Sequence, residues 1–215
     1  MKFNENDKKE KPEKSSEELV SLLGYMDKQE LRFTGIYGDI TEERCSEAIY
    51  GLLALHETGK EMVAMDPDEP EKSLVETFRP IDFYISTFGG VAAEMFSVFD
   101  MIRSIRDKSP IYTHGVGKVM SAGVPLLAAG SKGHRYIGKN CRVMIHGVIS
   151  GQHGHLANIA NEFEEAKMTQ KLYVRALAEE TNMDEKYVRR LMNKKTNVYL
   201  DAEEAVKLGI ADIIF

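Results

Sequence analysis

Tryptophan is absent from this chain, and cysteine occurs only at Cys45 and Cys141. Two cysteines with no paired spacing to each other or to histidines exclude a disulfide-built secreted scaffold and a cysteine-rich zinc module. Cys45 falls on the apolar face of a helical pattern and Cys141 opens a strand, so both read as small buried hydrophobes of a reducing compartment. No apolar run approaches the roughly 20 residues that cross a bilayer. The first residues are charged rather than an apolar signal core, which places the protein in the cytoplasm, away from membranes. Positive charge is also short: 28 Lys and Arg face 34 Asp and Glu, a net charge of −6. With no long basic stripe to neutralise phosphates, nucleic acid is not an expected partner. His153 and His155 alternate on what could be a strand face, but no carboxylate or cysteine cluster stands near them in sequence. A solvated or substrate-facing pair is the expectation there, with no metal and no cofactor.

What is present is an ordinary globular composition, 43% hydrophobic and 29% charged over 215 residues, enough for one domain with a sizeable core. Residues 1 to 14 are almost entirely polar and read as a tail, and Ser15-Ser16-Glu17-Glu18 opens a short amphipathic helix that Gly24 ends, so residues 1–30 form one region. The domain follows over residues 31–215. Residues 31 to 40 read as a strand, and Thr41 caps a helix with Cys45, Ile49, Leu52 and Leu53 on its apolar face, ended by Gly59. Pro67, Pro70 and Pro80 among acidic residues mark 60–80 as an irregular surface insertion. A strand from Ile81 ends in Gly89-Gly90, a helix runs from Ala92 to Lys108 with Met95, Val98, Phe99, Ile102 and Ile105 inward, and Ile111-Tyr112-Thr113 begins the next strand. This alternation predicts βαβ units and a largely parallel sheet. Further on come a strand at Cys141–Ile145, a glycine-rich extended stretch, and a helix from Leu156 to about Glu180. Asp184 caps a basic helix that reads as a solvated face, and Asp201 caps the last helix, which Gly209 closes.

The chemistry gathers at strand ends. Gly117-Lys118-Val119-Met120-Ser121-Ala122-Gly123 carries Ser121 where a strand turns into a helix, and the small flanking residues let the backbone turn and a substrate approach. Taken alone, such a serine is more often a mere helix cap. Twenty-five residues on, however, Cys141-Arg142-Val143-Met144-Ile145-His146-Gly147 ends a strand in a histidine. Three strand ends therefore bear a Gly-Gly backbone, a serine and a histidine in order, and open α/β sheets collect their ligands at that edge.

At these residues the chain resembles the Clp protease proteolytic subunit family, with its ClpP/crotonase-like α/β fold of repeated ββα and βαβ units. The resemblance rests on Ser86-Thr87-Phe88-Gly89-Gly90-Val91, on Gly117 to Gly123 with Leu127-Ala128-Ala129-Gly130, on Arg142-Val143-Met144-Ile145-His146, and on Ala202 to Asp212. The motifs run colinearly over residues 31 to 215, a far more specific signal together than singly. It implies a serine endopeptidase with Ser121 as nucleophile, His146 as base, and an oxyanion hole from the N–H groups of Gly90 and Ala122. Gly89, Val91, Ala92, Val148 and Ile149 would bind an extended peptide. It also implies a handle over about 148–180 that projects and interlocks two stacked seven-membered rings, a homo-oligomer of fourteen chains with an ATP-dependent AAA+ unfoldase as partner and unfolded polypeptides as substrate.

The family's third catalytic residue is an aspartate five positions before the alanine of its Ala-x-Glu-Ala helix. Counting back from Ala202 reaches Asn197, with Asn193 and Asp201 as nearby alternatives and Asp201 better explained as a cap. An asparagine can orient an imidazole but brings no charge to the imidazolium, so activity is expected to be weak or conditional. Three other readings compete. A catalytically impaired structural or regulatory ring subunit would pair with an active paralogue. An acyl-CoA enzyme of crotonase type would need pocket glutamates rather than Ser121 and His146. A serine-lysine dyad would have to use Lys118, which lies on the wrong side of the turn.

Overall fold

A computed structural model describes residues 31–215 apart from 67, 70, 152 and 195. The tail and short helix expected over 1–30 lie outside the described residues. Period-two burial sets the strands: in β4 (Ile81–Thr87) the side chains of Ile81, Phe83 and Ile85 are fully buried while Asp82 and Tyr84 are half-exposed. β4 lies between β1 (Phe33–Tyr37) and β5 (Ile111–Met120), both parallel to it. β5 is long enough to serve two neighbours. Its first half pairs parallel with β6 (Arg135–Ile137), and its last residues, Lys118 to Met120, pair parallel with β7 (Arg142–Ile145). β7 carries β8 (Val198–Leu200) antiparallel on its far side, and β9 (Ile213–Ile214) closes against β6. The expected mixed α/β fold with a mostly parallel sheet is thus what the chain adopts, and β5 is its spine.

Helices cover one sheet face. In α1 (Glu42–Thr58) Thr41 accepts from Arg44 N–H at the N-cap, and Cys45, Ala48 and Leu52 are buried, while Leu53 turns outward. α2 (Ala92–Ile105) buries the five residues its spacing predicts, each large apolar side chain worth roughly 1.5–3 kcal/mol of burial. It ends three residues earlier than expected. α3 (Gly123–Ala128) is buried along its whole length. Both cysteines are buried and unpaired, and burial pushes each thiol up to about 11. Across the opposite face, Tyr84, His114 and Tyr136, which share one register on β4, β5 and β6, stack with ring centroids 4.5 and 4.9 Å apart.

Two expectations change. The 60–80 segment is not irregular throughout: β2 (Lys60–Ala64) and β3 (Leu74–Phe78) form an antiparallel hairpin of their own. Its arms hold β-branched and apolar residues, and Pro80 lies beyond the second arm, so no proline interrupts the ladder between them. The stretch after His146, in contrast, forms no strand among the described residues to Leu156, because an extended segment gains its ladder only from a partner strand. The helix expected next, α4 (Leu156–Glu180), is present over its predicted span, and its buried residues all lie in the last third, from Tyr173 onward, within the second half.

That second half is anchored by charge. Glu180 is 2% exposed and takes a two-pronged hydrogen bond from Arg106, 2.9 Å at each oxygen. Lys132 and Arg103 stand 3.2 and 3.4 Å from the same carboxylate. Arg135, also buried, donates to Asp212 and to the carbonyls of Glu180 and Gly209, each carbonyl 2.7 Å away. Burial by itself would raise both carboxyls, but the arginines outweigh it and hold Glu180 and Asp212 below the usual carboxylate range. The network ties α2, α4, β6 and the C-terminal segment into one unit. α5 (Glu185–Met192) is capped by Asp184, whose carboxylate accepts from Tyr187 N–H, and its Lys186, Arg189 and Arg190 face solvent. α6 (Ala202–Lys207) opens with a capping box between Asp201 and Glu204.

Candidate active site

Ser121 directly follows β5 with φ +52°, the only non-glycine residue with positive φ among those described. Such a conformation costs on the order of 1–3 kcal/mol and persists only where the surroundings over-determine it. Here they do. Ser121 N–H donates to Met144 O at 2.8 Å, which fastens the turn to β7 two residues before His146. Its carbonyl accepts from Val124 N–H at 3.1 Å and from Tyr173 Oη at 2.9 Å. Gly123 must stay small, since a Cβ there would meet Thr87 Cγ2 at 2.4 Å.

The glycine pair packs against this turn. Gly89 (φ +109°) leaves no room for a side chain: a Cβ would lie 2.6 Å from Ser121 Cβ and 3.0 Å from Ser121 Oγ. Gly90 (φ +154°) presses on Ile40, where a Cβ would sit 2.3 Å from the carbonyl oxygen. Pairing in this bridge uses Gly89 O, accepting from Ile40 N–H at 2.9 Å, and Val91 N–H, donating to Ile40 O at 3.0 Å. Neither Gly90 N–H nor Ala122 N–H takes part in a turn, loop or cap hydrogen bond among the described residues. Two backbone donors are thereby left for something else near Ser121.

Ser121, Ala122, Gly90 and His146 line one cavity of about 460 Å³, together with Val91 and Ala92 on one wall and Gly147, Val148 and Ile149 on the other. Phe88 and Val91 stand exposed at its rim, and Lys118 has its ammonium 4.6 Å from the Phe88 ring centroid. That places Lys118 in a cation–π contact. His146 Nδ1 contacts Gly147 O. A carbonyl can only accept, so Nδ1 is the donor in this contact, and in the neutral imidazole that tautomer leaves the lone pair on Nε2. No hydrogen bond joins His146 to Ser121 Oγ among the described residues.

His146 also borders a neighbouring cavity of about 460 Å³, shared with Gln170, Asn193, Thr196 and Asn197. The β7–β8 ladder ends with Ile145 paired to Val198; His146 and Asn197 are the next residue on each segment, and both line this cavity. Asn197 is exposed, and its amide approaches Tyr199 Oη at 3.5 Å rather than the imidazole. Asn193 is the C-cap of α5, and Asp201 caps α6. His153 and His155 are exposed on the irregular stretch, and among the described residues no group of three or more His, Cys, Asp or Glu could hold a metal. No described helix is long and apolar enough to cross a membrane.

The family model for Clp protease matches residues 32–215. The chain belongs to the Clp protease family. Among curated Clp proteins it is similar to the ATP-dependent Clp protease proteolytic subunit 2 of Treponema denticola, 40% identical over 136 residues. It is also similar to the subunit of the same name from Treponema pallidum, 33% identical over 132 residues. Each match covers 61% of this chain and 64% of the relative, so the aligned part spans just under two thirds of those Clp subunits. Within this Clp family chain, Tyr173, Gln170, Met192 and Thr196 contribute to the cavities and were passed over by motif reading. Tyr173 sits in the apolar stripe of a helix, where sequence alone marks it as core, and only the fold shows what its hydroxyl touches.

Proposed function

We propose that this chain is a serine-type endopeptidase subunit of a Clp assembly, cleaving unfolded polypeptide in the cytoplasm. The observation that carries the reading is Ser121 itself, a non-glycine residue in a left-handed turn that opens into the same cavity as His146. Ser121 Oγ attacks the scissile carbonyl while His146 Nε2 takes its proton. Gly90 and Ala122 N–H groups receive the oxyanion, a role in which one donor is worth roughly a factor of 10²–10³. Collapse expels the amine, protonated by His146, and a water activated by the same nitrogen then releases the acyl group and restores Ser121. Val91 and Ala92 on one side and Val148 and Ile149 on the other pair with the main chain of an extended peptide, with Gly89 allowing its close approach.

Asn197, which borders the same cavity as His146, becomes the neutral orienting group once its amide turns from Tyr199 and the imidazole Nδ1–H turns from Gly147 O. In serine proteases an asparagine at this place costs about 10⁴ in turnover. Before that turn the Gly147 carbonyl fixes the tautomer, yet it adds only a dipole against the imidazolium. Activity is therefore weak or conditional on assembly. The irregular stretch after His146 and the exposed first half of α4, with Leu156 and Phe163 uncovered, suit a handle that is completed by a second ring. We assign the assembled form as two stacked seven-membered rings enclosing a chamber and fed by an AAA+ unfoldase.

A fluorescent serine-directed phosphonate tests the assignment on the assembled protein. Label on Ser121 that disappears in Ser121→Ala and rises in Asn197→Asp is the expected result, and labelling unaffected by Ser121→Ala refutes it. The second reading, an impaired ring subunit paired with an active paralogue, draws on His146 Nδ1 being engaged by Gly147 rather than by residue 197. It takes precedence if intact rings of both forms stay unlabelled.

A further inference from the structure

We propose that Tyr173 and Gln170, one turn apart on α4, are positioning residues that set the separation of Ser121 and His146; the proposal rests on the serine peptidase reading. The two reacting side chains follow different strands, and α4 is bonded to both sides of the cleft between them. On the nucleophile side, Tyr173 Oη donates to Ser121 O at 2.9 Å. A left-handed residue turns its carbonyl away from the strand ladder, and this bond, with the one from Val124 N–H, holds that carbonyl in its displaced direction. Tyr173 is 5% exposed and lines the catalytic cavity, and burial pushes its phenol up, so it remains a donor at any working pH.

On the histidine side, Gln170 Oε1 accepts from Val148 N–H at 3.2 Å and lies 3.3 Å from where a Cβ on Gly147 would stand. Gly147 in turn provides the carbonyl that accepts the hydrogen bond from His146 Nδ1–H, and Val148 begins the wall expected to pair with substrate. The buried part of α4 starts at Tyr173. Gln170 and Tyr173 are thus the α4 residues hydrogen-bonded to the two halves of the site. A shift of α4 along its axis moves the Ser121 carbonyl and the Val148 amide together.

The test separates this role from simple packing. Tyr173→Phe keeps the ring and removes only the donor; kcat and the rate of phosphonate labelling at Ser121 are expected to fall about tenfold, the scale of one buried hydrogen bond, with KM unchanged and the unfolding midpoint lowered by only a few degrees, still well above the assay temperature. Gln170→Met removes the acceptor for Val148 N–H and is expected to raise KM for a peptide substrate by about tenfold. Gln170→Glu, which can still accept that bond, restores the wild-type KM. Wild-type kcat and labelling in Tyr173→Phe, or identical behaviour of Gln170→Met and Gln170→Glu, overturns the proposal while the peptidase reading stands. So does a loss of kcat that merely tracks a lowered unfolding midpoint. Absence of label on wild-type Ser121 sinks the peptidase reading and the positioning roles with it.

Discussion

Replacing Gly89 by alanine separates backbone strain from the geometry of the nucleophile, because Gly38 offers a matched control. Both residues have left-handed φ, +109° and +94°, so alanine is strained at either position. At Gly38 nothing lies within 4 Å of the added carbon, whereas at Gly89 it would lie 2.6 Å from Ser121 Cβ, and ordinary contacts begin at 3.4 Å. The two must part by about 0.8 Å, and Met120 O at 3.1 Å limits retreat in that direction. Strain costs roughly 1–3 kcal/mol in each variant, lowering the unfolding midpoint by about 2–4 °C per kcal/mol for a chain of this size. A displacement near 1 Å at a reacting atom costs on the order of 100-fold in rate. Gly89→Ala is therefore expected to lose about two orders of magnitude in phosphonate labelling of Ser121 while Gly38→Ala labels at the wild-type rate; both lower the unfolding midpoint through strain, and Gly89→Ala lowers it further by the cost of the forced contact. Equal labelling rates in the two variants would refute the close packing of Gly89 on the nucleophile.

The ion network sets an acid limit. Glu180 and Asp212 bind protons more weakly in the folded chain than in the unfolded one, so their contribution is complete above the ordinary carboxylate values near pH 4 and is lost as pH falls through the lower folded values. The unfolding midpoint should hold steady from pH 7 to 5 and drop below about pH 4. Glu180→Gln leaves the Arg106 guanidinium, 19% exposed, without its carboxylate, which should cost about 3–5 kcal/mol at neutral pH and shrink the difference from wild type as pH falls. Cys45 and Cys141, buried with thiols raised to about 11, should resist a maleimide in the folded protein at pH 7.5 and react fully in denaturant; rapid native labelling would contradict their burial.

Much of this architecture could be read from periodicity. The five inward residues of α2, the span of α4 and the caps at Thr41, Asp184 and Asp201 follow from local rules that act within a few residues. Ser121, His146 and the glycine pair were visible because the motifs hold side chains and glycines at fixed offsets, and the fold brings them to one cavity, Gly89 through its packing on Ser121. Counting back from Ala202 leaves Asn193, Asn197 and Asp201 as neighbours, and only the register between β7 and β8, a non-local property, shows that the ladder stops one residue short of both His146 and Asn197. The hairpin at 60–64 and 74–78 was hidden by prolines that turn out to lie outside its arms. Tyr173 and Gln170 left no trace in sequence, because a hydrogen bond from a helix to a carbonyl 52 residues away has no local signature.

The Arg135 cluster has a consequence for the chain as it is made. Arg135 is buried in β6, but its carboxylate partner is 77 residues later, at Asp212, and another of its acceptors is Gly209 O. Synthesis from the N-terminus delivers every strand from β1 to β8 before that partner exists. Until residues 209–212 emerge, the Arg135 guanidinium can reach the carbonyls of Ala128 and Glu180 but no carboxylate of its own, and β6 has no β9 on its outer side. Arrival of residues 209–212 and completion of this charge cluster are therefore coupled, so a chain cut short after residue 208 is expected to carry the Ser121 and His146 motifs beside an Arg135 that has lost its carboxylate.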